Sequence, residues 1–119
     1  MNKRNADLPV FVFWTSFLDW LLPTTARFPK RARFSFAQRI EALALDVVEQ
    51  LVEARYSREK THHLQRINLL LEKMRVLLRI SQTQQYLSYK QYEYAVKQLN
   101  ETGGMVGSWH KQQSATDKA

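Results

Sequence analysis

The spacing of Leu64, Ile67, Leu71, Met74 and Leu78, alternating steps of three and four, is the tightest constraint in this 119-residue chain. Side chains three and four apart share one face of an α-helix, so these positions form an apolar stripe along a helix expected over residues 59–82. Such a regular step implies neighbours packed close to antiparallel. Only three glycines and three prolines occur, and strand-like alternation is missing, so nearly the whole chain reads as helix.

Three more helices complete the pattern. The first spans about Pro9 to Arg27, with Asp7 as N-cap and Trp14, Phe17 and Leu21 toward the core; Pro23 should kink or end it. Ser35-Phe36-Ala37-Gln38 reads as a capping box that opens a second helix, ending near Ala54, whose inner face is Phe36, Ile40, Leu43, Val47, Leu51 and Ala54. A hinge at Tyr56-Ser57-Arg58 leads into the helix of the stripe. Ser88-Tyr89-Lys90-Gln91 is a second box, with Leu87 placed to staple against Tyr92, and it starts a fourth helix with Tyr92, Val96, Leu99, Gly103 and Val106 inward. Gly103 and Gly107 would let a neighbouring helix approach closely; the competing reading is that "GGMVG" ends the helix. The expected fold class is all-α, an antiparallel up-down four-helix bundle over residues 8–111, between a flexible N-terminus at 1–7 and a flexible polar tail at 112–119.

Charge narrows the function classes. Eighteen Lys and Arg against eleven Asp and Glu give +7 and a pI near 9.9, which favours nucleic acid or another anionic partner. The absence of cysteine excludes disulfides, thiolate catalysis and Cys-based zinc sites, and suits a cytoplasmic protein. "MNKR" before an apolar run imitates a signal peptide, yet Asp7 and Asp19 interrupt it, no small-residue cleavage site follows, and the run is too short to span a bilayer. No membrane partner is expected.

Catalytic chemistry finds little support. A di-metal bundle site needs two E-x-x-H motifs, and only Glu59-Lys60-Thr61-His62 matches. His62, His63 and His110 read as surface histidines near helix ends, and Glu41, Asp46, Glu49 and Glu53 as a solvated outer face. With no phosphate-cradling glycine loop and no acid cluster for a cation, no catalytic residue, metal or cofactor is assigned, and the chain is expected not to be an enzyme.

Binding residues are easier to nominate. Arg27, Lys30, Arg31, Arg33 and Arg39 lie in a stretch with no acid between Asp19 and Glu41, and the arginine fork suits phosphate geometry. Phe28, Pro29 and Phe34 are expected to pin this connection to the top of the bundle. On the third helix, Arg75 and Arg79 flank one edge beside Asn68, and Arg66 and Lys73 the other. These nine cations are the candidate contacts to nucleic acid or a protein partner. A second apolar line runs along each of two helices: Leu45, Val48 and Val52, then Leu69, Val76 and Ile80. A single bundle buries one stripe per helix, so these six are the candidate self-association surface.

Read in order, "WLLP…FPKRAR", "LVEARYSREK", "LLLEKMRVLLRIS", "LSYKQYEYA" and "GGMVGSW" resemble the accessory variability determinant proteins of diversity-generating retroelements, over about Trp14 to Lys111. These are similar in turn to the four-helix proteins encoded in ribosomal-RNA intervening sequences. The resemblance implies a basic homopentameric barrel that associates with the retroelement's reverse transcriptase, binds template-repeat RNA and cDNA or other DNA, and supports mutagenic retrohoming. The polymerase site would belong to the reverse transcriptase, leaving this chain non-catalytic. On matching positions it implies polar contacts at Lys30, Arg31 and Arg33 beside Pro29, and at Arg75 and Arg79, with packing roles for Gly103 and Gly107 near Trp109. The tail departs from the pattern, having only Lys111 and Lys118 as cations. The intervening-sequence relatives imply an alternative, a structural adaptor or RNA-binding protein acting without a reverse transcriptase.

Overall fold

The computed structural model describes residues 7–118, with side chains over 8–115; of the expected flexible N-terminus at 1–7 it describes only the backbone of Asp7, which is helical, and the expected side-chain cap by Asp7 lies outside what it describes. The chain is all-helical: α1 (Asp7–Ala26), a short α2 (Lys30–Ala32) running through a π-helical turn (Arg33–Ala37) into α3 (Gln38–Tyr56), then α4 (Thr61–Thr83) and α5 (Tyr89–Lys118). Among the described residues there is no strand. The four long helices form a bundle of 51 × 23 × 20 Å in which α3 packs on α4, α4 on α5, and α1 on both α3 and α5.

The α4 stripe is its centre. Leu64, Ile67, Leu71, Met74 and Leu78 are all fully buried, each stabilising the fold by roughly 1.5–3 kcal/mol through removal from water. Neighbours run antiparallel: Arg75 meets Asn100 and Leu71 lies beside Gly103, while Gln50 meets His63 and Phe36 meets Tyr86 at the far end. From α1, Trp14 is fully buried and its indole N–H donates to the Ala44 carbonyl at 3.0 Å, which satisfies the polar edge of the largest core side chain.

Several expectations need correction. Pro23 neither ends nor interrupts α1, because a proline three residues before the helix end removes only one ladder bond. Ser35 does not cap a helix: helical winding already begins at Lys30 after Pro29, whose φ of −55° and ψ of 150° set the entry, and Ser35 lies within the π turn. The inward face of α5 is turned by about one residue from the expected one, onto Ala95, Leu99, Thr102, Val106 and Trp109, leaving Tyr92 and Val96 half-buried. On α3, Ala44 joins the core while Phe36 and Leu43 are only partly covered.

Gly103 and Gly107 lie inside an unbroken helix, so "GGMVG" does not terminate it, but neither is sterically required within this chain. A Cβ at Gly103 would sit 3.5 Å from the Arg75 guanidinium and 3.8 Å from Leu71, ordinary packing distances, and at Gly107 it would meet nothing. The polar residues after Trp109 are wound into α5 as far as Lys118.

The Ser88 box forms as expected. The Ser88 backbone N–H donates to Gln91 Oε1 at 2.9 Å, and the Gln91 N–H donates to Ser88 Oγ at 3.1 Å. At the other side of that connection α4 ends with Gln85 at φ 67°, its N–H donating to Gln82 and that of Tyr86 to Ser81. This is a Schellman closure built on glutamine instead of glycine, and it delivers Tyr86 to the end of the bundle. Replacing Leu71 by Ala should lower stability by about 2–5 kcal/mol in urea unfolding, since the cavity would open where α4 meets α5.

Candidate nucleic-acid interface

The π turn decides where the cations point. Arg33 lies seven residues before Ile40, which is fully buried, and in an uninterrupted α-helix positions seven apart share a face. A regular helix would therefore turn the guanidinium toward the core. The wider π turn at Arg33–Ala37 rotates it outward, and Arg33 is exposed, its Nε donating to the Phe28 carbonyl at 3.3 Å.

Beneath this segment sits an aromatic base. Phe28 is almost fully buried, and the Tyr86 ring packs between Phe28 and Phe36, at 5.7 Å from each centroid. The Arg31 guanidinium lies 5.6 Å from the Tyr86 centroid, in cation–π range, so one cation is oriented by the cluster that pins the connection. Phe28 is thus an anchor as expected, whereas Phe34 is not: it faces solvent, and Phe36 takes its place against Tyr86. What reads as a basic loop is mostly a helix start, with only residues 27–29 between helices.

Arg27, Lys30, Arg31, Arg33 and Arg39 are all exposed at this end of the bundle. Arg79, in the closing turns of α4, is also exposed, on the flank it shares with Arg75 and not the one that meets Arg39. No carboxylate of the described residues forms an ion pair with any of these six. The nearest acid in sequence, Glu41, is half-buried and accepts a hydrogen bond from the buried Thr25 hydroxyl, tying α1 to α3; the expectation of a purely solvated Glu41 is corrected.

Not all nine cations gather here. Lys73 and Arg66 are exposed but sit progressively farther down α4. Arg75 is half-buried and held in place: its Nε donates to Asn100 Oδ1 at 3.0 Å and its Nη1 to Glu72 at 2.9 Å. It links α4 to α5, so its charge is already partly answered within the fold.

At the opposite end the structure corrects the reading of His63 as a surface residue. It is buried, with Nδ1 2.9 Å from Gln50 Oε1 and Nε2 3.1 Å from Ser57 Oγ, while Lys60 donates to the carbonyls of Ala54, Arg55 and Ser57. These bonds close the α3–α4 corner, where the last carbonyls of α3 lack helical donors. Sequence spacing held no signal for it, because the partners converge only once the corner is folded. Among the described residues no three His, Asp or Glu converge as a metal site, and no helix is long and apolar enough to cross a membrane.

The second apolar stripes are on the surface as expected. Leu45, Val52, Leu69, Val76 and Ile80 are exposed, and Val48 is partly covered by the core. They occupy different sides. Val52 lines a groove with Phe11 between α1 and α3, whereas Leu69, Val76 and Ile80 lie on the side of α4 turned away from its core stripe.

Fold and surface together define a basic all-helical bundle with exposed cations concentrated at one end and two apolar faces. The chain belongs to the bAvd-like family, the accessory variability determinant family, whose model matches residues 12–113. Comparison with curated proteins and with solved structures returned no match.

The cations carry a local penalty. Lys30 and Arg31 stand at the start of a helical run with no acid in its first turn, where the helix dipole disfavours positive charge. Lys30→Glu should therefore raise unfolding stability by about 0.3–1 kcal/mol at low salt while weakening polyanion binding, a gain that added salt erases.

Proposed function

We propose that this protein is a non-catalytic accessory subunit of a diversity-generating retroelement, which binds template RNA and cDNA through its cationic end and associates with the reverse transcriptase during mutagenic retrohoming. The observation that carries this reading is the acid-free run from Arg27 to Arg39, whose five cations are all exposed on one end of a bundle of the bAvd-like family. Contacts of this kind address phosphates, so binding has little sequence preference and falls steeply with salt.

Self-assembly fits the two apolar faces. A two-fold dimer uses one patch twice, whereas a closed ring joins two different patches head to tail. The α3 stripe and the α4 stripe are two such patches, which supports the homopentameric barrel that the family implies. A ring also repeats the cationic end once per protomer, so a weak site on one copy becomes a multivalent one.

The binding test compares Arg31→Glu/Arg33→Glu with Arg75→Glu/Arg79→Glu against single-stranded RNA and duplex DNA over a salt series. The first variant should weaken affinity more than about tenfold and lower the salt slope by about two, one for each arginine–phosphate pair abolished. The second should weaken it less, because Arg75 is engaged with Glu72 and Asn100. Unchanged affinity in both variants would overturn the assignment. Co-purification with the reverse transcriptase before and after nuclease digestion then separates direct protein contact, which persists, from bridging by RNA, which does not.

Assembly is tested by mass in solution. The 14.1 kDa chain should sediment as a five-fold multiple, and Val76→Glu should reduce it to the protomer with helical circular dichroism retained. A monomeric parent protein would remove the ring.

A further inference from the structure

Phe34 stands out from its surroundings. The ring is 79 % exposed, so it takes almost nothing from burial in the bundle, and it sits in the π turn directly beside Arg33. The neighbouring aromatic rings behave otherwise: Phe28 is buried, and Phe36 and Tyr86 are half-buried against each other. Internal packing therefore does not account for Phe34.

We propose that Phe34 is a base-stacking platform, which makes the cationic end a site for single-stranded nucleic acid with unpaired bases. This rests on the reading of that end as a polyanion site and adds the form of strand the site takes. A phenyl ring offers a flat face of the size of a nucleobase, and stacking of this kind tolerates any base because every base has a π-face. In a duplex the base faces are covered by their neighbours, so an exposed ring has nothing to stack on without unstacking a step.

The charges around the ring fit a strand and not an apolar protein partner. Arg33 adjoins it in sequence, with its Nε anchored to the Phe28 carbonyl and its terminal nitrogens facing no partner among the described residues. Arg31 is oriented by Tyr86. Beside the ring in sequence, Ser35, Phe36 and Arg39 line a shallow groove with Leu77, which supplies a second apolar shelf with a cation at its edge. Phosphates on the arginines and a base on the ring is the arrangement that single-strand binders combine. A hydrophobic docking contact would be weakened by the desolvation of these same cations.

The ring is exposed, so its removal leaves the core intact, which circular dichroism checks. The parent protein, Phe34→Ala, Phe34→Tyr and Arg31→Glu/Arg33→Glu are titrated with oligouridylate and with a blunt RNA duplex of equal phosphate number. Phe34→Ala should reduce affinity for oligouridylate by about tenfold to a hundredfold, with duplex affinity and salt slope unchanged, and Phe34→Tyr should restore it. The arginine variant should weaken both probes. If the parent binds but Phe34→Ala holds oligouridylate equally well, the stacking inference is overturned and the ring is a protein contact. If the parent binds neither probe, the polyanion reading falls first and the stacking site with it.

Discussion

Burial of the α4 stripe is the constraint on which everything else in the molecule rests. Five side chains in register along one helix cannot be hidden by a single neighbour, so α3 and α5 close on α4 from either side and α1 covers the remaining opening. Trp14 sits where that closure is completed, filling the interior and sending its one donor to the Ala44 carbonyl. With the interior committed in this way, no buried space is left for the long cationic side chains. They leave at the surface, Arg27, Lys30, Arg31, Arg33 and Arg39 at one end of the bundle and Lys73 and Arg66 farther down α4.

That requirement explains the irregular stretch after Pro29. A straight helix through residues 30–56 would carry Arg33 onto the same side as Ile40, where a guanidinium would be stripped of its hydration without a partner. Widening one turn removes the conflict while keeping Ala32, Ala37 and Ile40 inward. The aromatic cluster of Phe28, Phe36 and Tyr86 then holds the segment against the core, and the left-handed Gln85 supplies the sharp change of direction that brings Tyr86 there. Cations held on a rigid base give up less conformational freedom on meeting a phosphate than cations on a flexible loop.

Much of the fold is legible in the sequence because helical periodicity reports directly on which face must be dry. The stripes of α1 and α4 follow from spacing alone, as do Ile40, Val47, Leu51 and Ala54 on α3, the Ser88 cap and the exposure of Leu69 and Val76. The Ser35 box misleads because the same four residue types are tolerated inside a helix, and Pro29 has already supplied an entry geometry one turn earlier. Arg75, Glu41 and His63 escape sequence reasoning for another cause. Their partners, Asn100, Thr25, and Gln50 with Ser57, are brought near by tertiary packing, which no local spacing encodes. Phe34 reads as an anchor from its residue type, since its outward turn depends on a helix irregularity invisible in residue identity.

The π turn has a consequence for how the two parts of the second helical run depend on each other. One extra residue in a turn is an offset in angular phase, and it is confined to five positions. Upstream, the orientation of the basic segment is set by Pro29 and the aromatic cluster; downstream, that of α3 is set by the core. The turn joins two separately aligned shafts, so the angular phase of the charged end is set independently of the phase of the packed layer.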